Sequence, residues 1–178
     1  MSAPARYPSA LIDRIRLADG REVVIRPVLA LDAEAEQDFV RGLSPDSRRK
    51  RFHLPIRELP PALLRRMTDV DHVGHVAIVA EALASDDAAT IVADARYVHE
   101  DGETHFAIAV ADAWQGVGLG RALMQRLLRY AARHGVARMV GDVLAGNTAM
   151  TRLAASFGGR LSPNGPGVTR ARLELAGG

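Results

Sequence analysis

The sequence predicts an α+β (mixed α/β) fold, in which a mostly antiparallel central sheet carries one strand–helix–strand crossover. An Asp-Gly pair at 19–20 lies between two segments of alternating apolar and polar residues, which is typical of a β-hairpin. Three apolar, β-rich segments at 73–84, 89–98 and 104–111 follow one another with short links, so we expect them to be antiparallel neighbours. Only one strand–helix–strand crossover follows them, which argues against a doubly wound parallel sheet.

Three short helices are expected between the hairpin and these strands. Residues 32–39 form a polar, alanine-containing stretch that favours a helix. Ser44 and Pro45 begin the second helix, because serine caps a helix N-terminus and proline suits the first helical position. The proline pair at 60–61 opens the third. Turn residues at 86–87 and 101–102 separate the three strands that follow.

The clearest element is a helix that follows the last of the three strands and ends at Gly135, a residue type common at helix C-termini. A strand at 136–144, a second amphipathic helix ending at glycines 158–159, and two strands flanking a loop at 163–167 complete the chain. The apolar positions of the first helix recur with helical spacing and so share one face. They are Leu119, Ala122, Leu123, Leu127, Tyr130 and Ala131.

The composition of the chain argues against several classes of protein and of binding partner. The 178 residues fit a single domain, 1–178, with the first ten or so expected to be flexible. A net charge of +2 is too small to favour a nucleic acid or a membrane surface as partner. The absence of cysteine excludes a disulfide framework, a thiolate nucleophile and a cysteine zinc site. The start has no signal-peptide pattern and no apolar run could span a bilayer, so a cytoplasmic location is expected.

The segment with the strongest functional signal is the glycine-rich loop Trp-Gln-Gly-Val-Gly-Leu-Gly-Arg at 114–121, between a strand and the long helix. Glycines let the backbone approach a ligand closely, and the first N–H groups of a helix point outward at its positive end. Such a loop suits a phosphate or pyrophosphate group. The alternative is a tight turn that needs glycine only for its geometry.

The ligand class follows from the spacing of the glycines. No Gly-Lys-Ser/Thr is present, which excludes a Walker-type loop. A dinucleotide site expects G-x-G-x-x-G, whereas this loop is G-x-G-x-G. Asp142, about twenty residues downstream, could still bind a ribose hydroxyl, so a dinucleotide-binding protein stays open as a remote alternative.

Residues 115–120 resemble the Q/R-x-x-G-x-G/A acyl-CoA loop of the GNAT superfamily of N-acetyltransferases, and the order of elements from 23 to 175 is similar to that fold. Within the superfamily, the Asp-Gly pair at 19–20, the segments 24–27 and 43–47, and the Arg-Phe pair at 51–52 resemble the bacterial protein-lysine acetyltransferase group. The resemblance implies acetyl-CoA as co-substrate, direct transfer to an amine in a ternary complex, and no metal.

The resemblance also implies a set of cofactor-binding residues. Val110, five residues before the loop, would hydrogen-bond the pantetheine or the thioester carbonyl. Asn147, at the start of the last helix, would contact the pantetheine arm, although an ordinary N-cap explains it equally well. The pyrophosphate would lie on the backbone amides of Gln115, Gly116, Val117, Gly118, Leu119, Gly120 and Arg121.

Acyl transfer to an amine needs a base, because a free lysine amine has a pKa near ~10.4. The group that this chain resembles carries a glutamate ten residues before the loop glutamine, where this chain has His105. Histidine can serve as the base, or it can be a surface residue at a strand start. Glu103 is the first substitute and Glu81 the second. Many superfamily members also have a tyrosine as general acid where this chain has Ala154.

The acceptor stays open between three interpretations: a protein lysine as first choice, a small-molecule amine as second, and a non-catalytic acyl-CoA sensor as the rival from another class. Two polar clusters add further alternatives. A group of acids and histidines at 69–75 could hold a metal, although its spacing defines no ligand geometry. The basic run 48–51 could be a solvated face, or it could attract an acidic acceptor or the CoA 3′-phosphate.

Overall fold

The computed structural model of the protein describes residues 7–83 and 89–175. The turn predicted at 86–87 and the start of the segment expected to be flexible lie outside these ranges. Near the start of the described residues, the Tyr7 hydroxyl donates to the Pro27 carbonyl at 3.2 Å, and Leu11 is buried in the core. No helix in the described ranges is long and apolar enough to cross a membrane.

The described residues contain eight strands and five α-helices. The strands are β1 (Asp13–Arg16), β2 (Glu22–Pro27), β3 (His75–Leu83), β4 (Ala89–Glu100), β5 (Glu103–Val110), β6 (Arg138–Leu144), β7 (Arg160–Pro163) and β8 (Val168–Glu174). The helices are α1 (Ala33–Gly42), α2 (Pro45–Phe52), α3 (Pro61–Thr68), α4 (Leu119–Arg133) and α5 (Thr148–Ser156).

The strands form one sheet in the order β1-β2-β3-β4-β5-β6-β8-β7. Among these strands only β5 and β6 are paired in parallel; each other pair of neighbours is antiparallel. The parallel pair is the crossover through α4 that the sequence predicts, so the α+β prediction is confirmed. A single parallel pair cannot provide the doubly wound sheet on which a dinucleotide site depends.

Helices cover both faces of the sheet, and alternate residues of each strand serve the two sides. On β3, Val76 and Ile78 pack in the core that contains α4, whereas Ala77 and Val79 pack in the core that contains α1 and α3. Four of the six predicted positions on the face of α4 are buried, with Met124 added to them, whereas Ala122 and Tyr130 are only partly buried. Strand β5 therefore lies between two layers, and a side chain's position along it decides which layer it enters.

The helix ends follow the predicted residues. Ser44 caps α2, its side chain accepting the Ser47 N–H at 3.2 Å. Gly135 takes a φ of +80° directly after α4, and the Val136 N–H bonds the Ala131 carbonyl at 3.0 Å, as in a glycine-terminated helix. Both ends lie where local residue chemistry favours them, and the Ser44 hydroxyl also donates to the distant Asp112 carboxylate at 2.7 Å.

Candidate active site

The site begins where β5 and β6 diverge. The two strands are bridged where His105 lies opposite Val140. Next to this bridge the Phe106 ring lies against Gly141, where a side-chain methyl would be 2.7 Å from a ring atom, so glycine is required. Beyond the ring the strands separate into an open cleft of about 280 Å³, which reaches from β5 to the start of α5.

Val110 lies at the end of β5 on the wall of this cleft. The next amide, that of Ala111, donates to the Val92 carbonyl of β4 at 2.8 Å. Because successive amides along a strand point to opposite sides, the Val110 N–H points away from β4 and into the cleft. The Val110 carbonyl accepts the side-chain amide of Gln115 at 2.9 Å.

The glycine loop, residues 114–121, leads from the end of β5 into α4. Gly116 and Gly118 have φ values of +75° and +90°, which favour glycine, and Gly118 is the residue from which α4 starts. Gly120 has an ordinary φ, and a methyl there would meet Val110 and Leu153 at normal contact distances of 3.7 and 3.8 Å. The first turn of α4 carries no acidic residue, so its N–H groups form a concentrated positive end suited to an anion.

The side chains of the loop are used to hold it in place. Leu119 is buried in the core and Val117 packs against the core, so these two residues can offer a ligand only their backbone. Arg121 donates to the Ser156 hydroxyl at 2.9 Å and packs on the Phe157 ring, which links α4 to the end of α5. Its guanidinium therefore belongs to the scaffold of the site.

The hairpin β1–β2 supports the loop from one side. The Ala18 N–H bonds the Val117 carbonyl at 3.3 Å, and Arg21 donates to the Ala113 carbonyl at 3.0 Å. The Arg21 guanidinium also stacks on the Trp114 ring, 3.8 Å from its centroid. The predicted Asp-Gly turn thus lies next to the glycine loop, although the two are about ninety residues apart in sequence.

Helix α2 supports the loop from the other side through Asp112. The carboxylate accepts the Ser44 N–H at 2.9 Å, the Ser44 hydroxyl at 2.7 Å and the Ser47 hydroxyl at 2.9 Å. Burial raises the pKa of Asp112, but these hydrogen bonds outweigh it and hold the pKa below its usual value. Gln115 adds a bond to the Ser47 hydroxyl at 3.3 Å. The sequence contains no local signal for this contact.

Asn147 has the two properties considered for it from the sequence. Its side chain accepts the Met150 N–H at 3.3 Å, so it is the N-cap of α5. It also lies on the wall of the cleft, opposite the strand end. The N-cap interpretation is confirmed, and contact with a pantetheine arm remains a prediction.

His105 faces a second, neighbouring cleft between α2, α3 and the strands β3 to β5. Arg51, Phe106 and Ala107 lie on the walls of both clefts, so the two adjoin. At a rise of about 3.3 Å per residue, His105 lies roughly 16 Å along β5 from Val110. His105 can therefore act on an amine near Val110 only through intervening water.

Glu103 is the centre of an ion-pair network beside His105. Its carboxylate lies 3.8 Å from the His105 ring nitrogen Nε2 and 3.2 Å from the Arg170 guanidinium. Arg170 also bonds Asp142 at 2.9 Å, which lowers the pKa of Asp142, and Asn164 donates to the same carboxylate. The Asp142 carboxylate is thus bonded to two neighbouring side chains, Arg170 and Asn164. In this network His105 has one charged neighbour, whereas Glu103 has two.

Glu81, the second substitute base, bonds Arg26, which in turn bonds Asp32. Neither cleft includes it on its walls. The acids and histidines at 69–75 are engaged in local contacts: Asp71 accepts the backbone N–H groups of Val73 and His75. Within the described ranges, no three such side chains are grouped around a common point.

A buried charged cluster lies beneath the second cleft. Arg96 of β4 bonds Asp94 and lies 3.5 Å from Glu36 of α1, all three being almost fully buried. Burial, with the nearby Asp94 charge, raises the pKa of Glu36 to about 8. Burial and the adjacent Arg96 lower the pKa of His75 to about 4. The clue in the sequence is that Asp94 and Arg96 lie in the middle of strand β4 with apolar residues on both sides.

The comparison with protein families decides the identity of this site. The model of the acetyltransferase (GNAT) family matches residues 42–158, which include α2, both cleft walls and the glycine loop. The chain belongs to the GNAT acetyltransferase family. The resemblance to the GNAT superfamily is thereby confirmed in place of the dinucleotide alternative, and the binding of acyl-CoA by the glycine loop remains a prediction. As a GNAT acetyltransferase, the protein uses acetyl-CoA as its acyl donor.

Named relatives agree with this assignment. The chain is 37% identical over 163 residues to an acetyltransferase of Pseudomonas aeruginosa, covering 89% of this chain and 87% of the relative. It is 30% identical over 164 residues to the acetyltransferase Pat of Mycolicibacterium smegmatis, covering 90% of this chain. The chain spans about half the length of that second relative.

Solved structures show the same GNAT fold. The GNAT domain of PAT from S. lividans superposes with a TM-score of 0.86 at 27% identity, covering 96% of this chain and all of that domain. A cAMP-binding acyltransferase from Mycobacterium smegmatis gives 0.63 at 26% identity, covering 97% of this chain and half of that one. An acetyltransferase from Salmonella typhimurium, solved with its cofactor acetyl-CoA, gives 0.65 at 21% identity, covering 86% of this chain and 94% of its own.

Proposed function

We propose that this GNAT enzyme transfers the acetyl group of acetyl-CoA to the side-chain amine of a lysine in another protein. The observation that carries the proposal is the attachment of α2 to the acyl-CoA loop through Asp112 and Gln115. Residues 43–52, which resemble the protein-lysine acetyltransferase group, thereby contribute to the walls of both clefts.

The cofactor would lie in the first cleft. The pyrophosphate would accept backbone N–H groups between Gln115 and Arg121, where two positive φ values and the helix start favour an anion. The thioester carbonyl would accept the N–H of Val110, which points into the cleft. Asn147 would contact the pantetheine arm from the start of α5.

The acceptor lysine would enter through the second cleft. Leu63, Met67 and Val98 give this cleft an apolar wall, which suits the four-carbon stem of a lysine. Arg66 and Glu100, both about half-exposed, form an ion pair at 2.8 Å on its wall, where a protein surface can reach them. A small polar amine would leave the apolar wall unfilled, and this favours the protein acceptor.

In the reaction, the neutral amine attacks the thioester carbonyl, and the Val110 N–H stabilises the negative charge that develops on the oxygen. His105 accepts the amine proton through water, with Glu103 orienting its ring. The C–S bond then breaks, and CoA leaves as a thiolate. The thiolate needs no proton donor in order to leave, because its conjugate thiol is comparatively acidic. No hydroxyl acid is needed at the position of Ala154.

The test is a thiol-release assay with acetyl-CoA against folded protein acceptors, lysine peptides and small amines. We expect turnover with lysines of folded proteins and little with polyamines or amino sugars. Turnover confined to free amines would refute the protein acceptor and leave the acetyltransferase assignment intact.

The Gly118→Ile variant provides the control for the cofactor site. A β-branched residue cannot adopt φ near +90° without strain, so acetyl-CoA binding should be lost, and NAD should not bind either form. Gly120→Ala, whose methyl has normal contact distances, should retain binding. Calorimetry with acetyl-CoA and NAD measures both results, and NAD binding would contradict the cofactor assignment.

A further inference from the structure

Lys50, the only lysine in the sequence, lies on the wall of the first cleft, where acetyl-CoA is proposed to bind. It shares this wall with Val110 and with Gly116 and Gly120 of the glycine loop. Its amine lies 2.5 Å from the Asp46 carboxylate one turn earlier in α2, and about a third of the side chain is exposed. The protein therefore holds an amine next to the expected position of its own acyl donor.

The position of α2 places Lys50 on the wall of the same cleft as the end of β5. Ser47 and Lys50 are three residues apart and so lie on the same side of the helix. The Ser47 hydroxyl bonds the Gln115 side chain at 3.3 Å, and that side chain bonds the Val110 carbonyl at 2.9 Å. Lys50 is thus about one helical turn, ~5 Å along the axis, from Ser47, which is linked to the end of β5 through the Gln115 side chain.

We propose that Lys50 is a self-acetylation site, acetylated in cis by acetyl-CoA bound in its own cleft. The proposal rests on the proposed cofactor position. The Lys50 ammonium group leaves its ion pair with Asp46 and loses a proton to solvent. The neutral Lys50 amine then attacks the thioester carbonyl, and the C–S bond breaks as the amide bond forms. CoA leaves as a thiolate, which takes up, through water, the proton that the attacking nitrogen releases.

Acetylation removes the positive charge of Lys50 and with it the ion pair to Asp46. It also leaves an acetamide group in the cleft, on the wall where the next acetyl-CoA would bind. The acetylated enzyme should therefore turn over external acceptors more slowly than the unmodified enzyme. The modification would limit the activity of the enzyme when acceptors are scarce.

The experiment follows the intact mass of the purified full chain during incubation with acetyl-CoA alone. We expect the mass to rise by one acetyl group, with peptide mapping placing it on Lys50 and not on the N-terminal amine. The rate per molecule should be independent of protein concentration, as a reaction in cis requires. A small acetyl thioester without the nucleotide should modify the protein at least about tenfold more slowly, since it lacks the positioning that the cleft provides.

A matched variant moves the single lysine away from the cleft. Lys50→Arg keeps the positive charge and removes the acceptor, and Arg133→Lys adds a lysine at an exposed position in the last turn of α4. The double variant should lose the mass increase, or gain it only at the rate of the small thioester. Thermal melts of both variants report whether the fold is retained.

Three outcomes would overturn the proposal: no modification of Lys50, a rate proportional to protein concentration, or equal rates for the wild type and the double variant. If acetyl-CoA affinity falls in Lys50→Ala while Lys50 is never acetylated, Lys50 contacts a phosphate of the cofactor instead. Thiol release with external acceptors measures the proposed function separately, so an active enzyme without modified Lys50 refutes self-acetylation alone.

Discussion

His105 lies where the family resemblance places a base, yet about 16 Å along β5 from the amide expected to bind the thioester. Replacing it by alanine should lower kcat by about 10²-fold with little change in acetyl-CoA affinity, because a base acts on the amine and not on the cofactor. Steady-state kinetics with a saturating acceptor and calorimetry with acetyl-CoA measure the two quantities.

Glu103→Gln gives the matched comparison, because it removes the carboxylate beside the His105 ring and keeps its shape. If Glu103 only orients His105, the loss in kcat should be smaller than that of His105→Ala. An unchanged kcat in His105→Ala, with a large loss in Glu103→Gln, would assign the base to Glu103 despite its ion pair with Arg170.

At the scale of residues, the sequence predicts backbone roles better than side-chain roles. Gly116, Gly118 and the Asn147 cap are recognisable because the requirement is local: a positive φ or a free helix N–H. The Gln115 side chain bonds the end of β5 and a serine of α2, which are brought together only by the fold. No pattern in the neighbouring residues could indicate those partners.

Among the elements, α2 depends most on one contact, that with Asp112. Asp112→Ala removes three hydrogen bonds to Ser44 and Ser47 and should reduce the free energy of unfolding by about 1–2 kcal/mol. It should also weaken acetyl-CoA binding, because the loop loses its support from α2. Chemical denaturation and calorimetry measure the two effects.

Asp38→Ala is the control, since Asp38 forms one exposed ion pair with Arg41 at 3.3 Å. Exposed pairs of this kind contribute little, so its stability should change by less than about 0.5 kcal/mol. Equal effects of the two substitutions would show that the contact between α2 and the loop contributes no more than an ordinary surface pair.

Most elements could be predicted because their signals are local: Asp-Gly for the hairpin, Ser-Pro for α2, and apolar periodicity for α4. The contacts between elements could not. The hairpin supports the glycine loop, and α2 separates two clefts, only because the order of strands in the sheet places these segments together. That order depends on pairing between distant segments, which the sequence of each segment does not contain.

For the whole molecule, the buried cluster beneath the second cleft should make stability depend on pH. Glu36 faces Asp94 and Arg96 of β4 and Arg51 of α2, with Asp32 near its own helix. Its pKa of about 8 in the folded state lies above its ordinary value of 4.5, so the folded state binds a proton that the unfolded state releases between these values. The stability contributed by Glu36 is complete below pH 4.5 and is lost as the pH rises through 8.

The wild type should therefore lose about 1–2 kcal/mol of unfolding free energy between pH 6.5 and 8, and Glu36→Gln should lose less, since its side chain does not titrate. Below pH 6.5, His75 has the opposite effect on the free energy of unfolding. Its pKa of about 4 in the folded state lies below its ordinary value of 6.5, so stability falls as the pH falls and His75 becomes protonated. Denaturation curves across this range measure the difference. Parallel profiles for wild type and variant would show that Glu36 is not the titrating group.

The support of the glycine loop has a consequence for the kinetics of cofactor binding. Bonds from the hairpin, from α2 and from α5 hold the loop in shape without a ligand. Little backbone ordering then accompanies binding, so encounter should be fast and nearly the same for CoA esters of different acyl chains. Preference among those esters should appear in their residence times, with the best-fitting acyl group leaving the cleft most slowly.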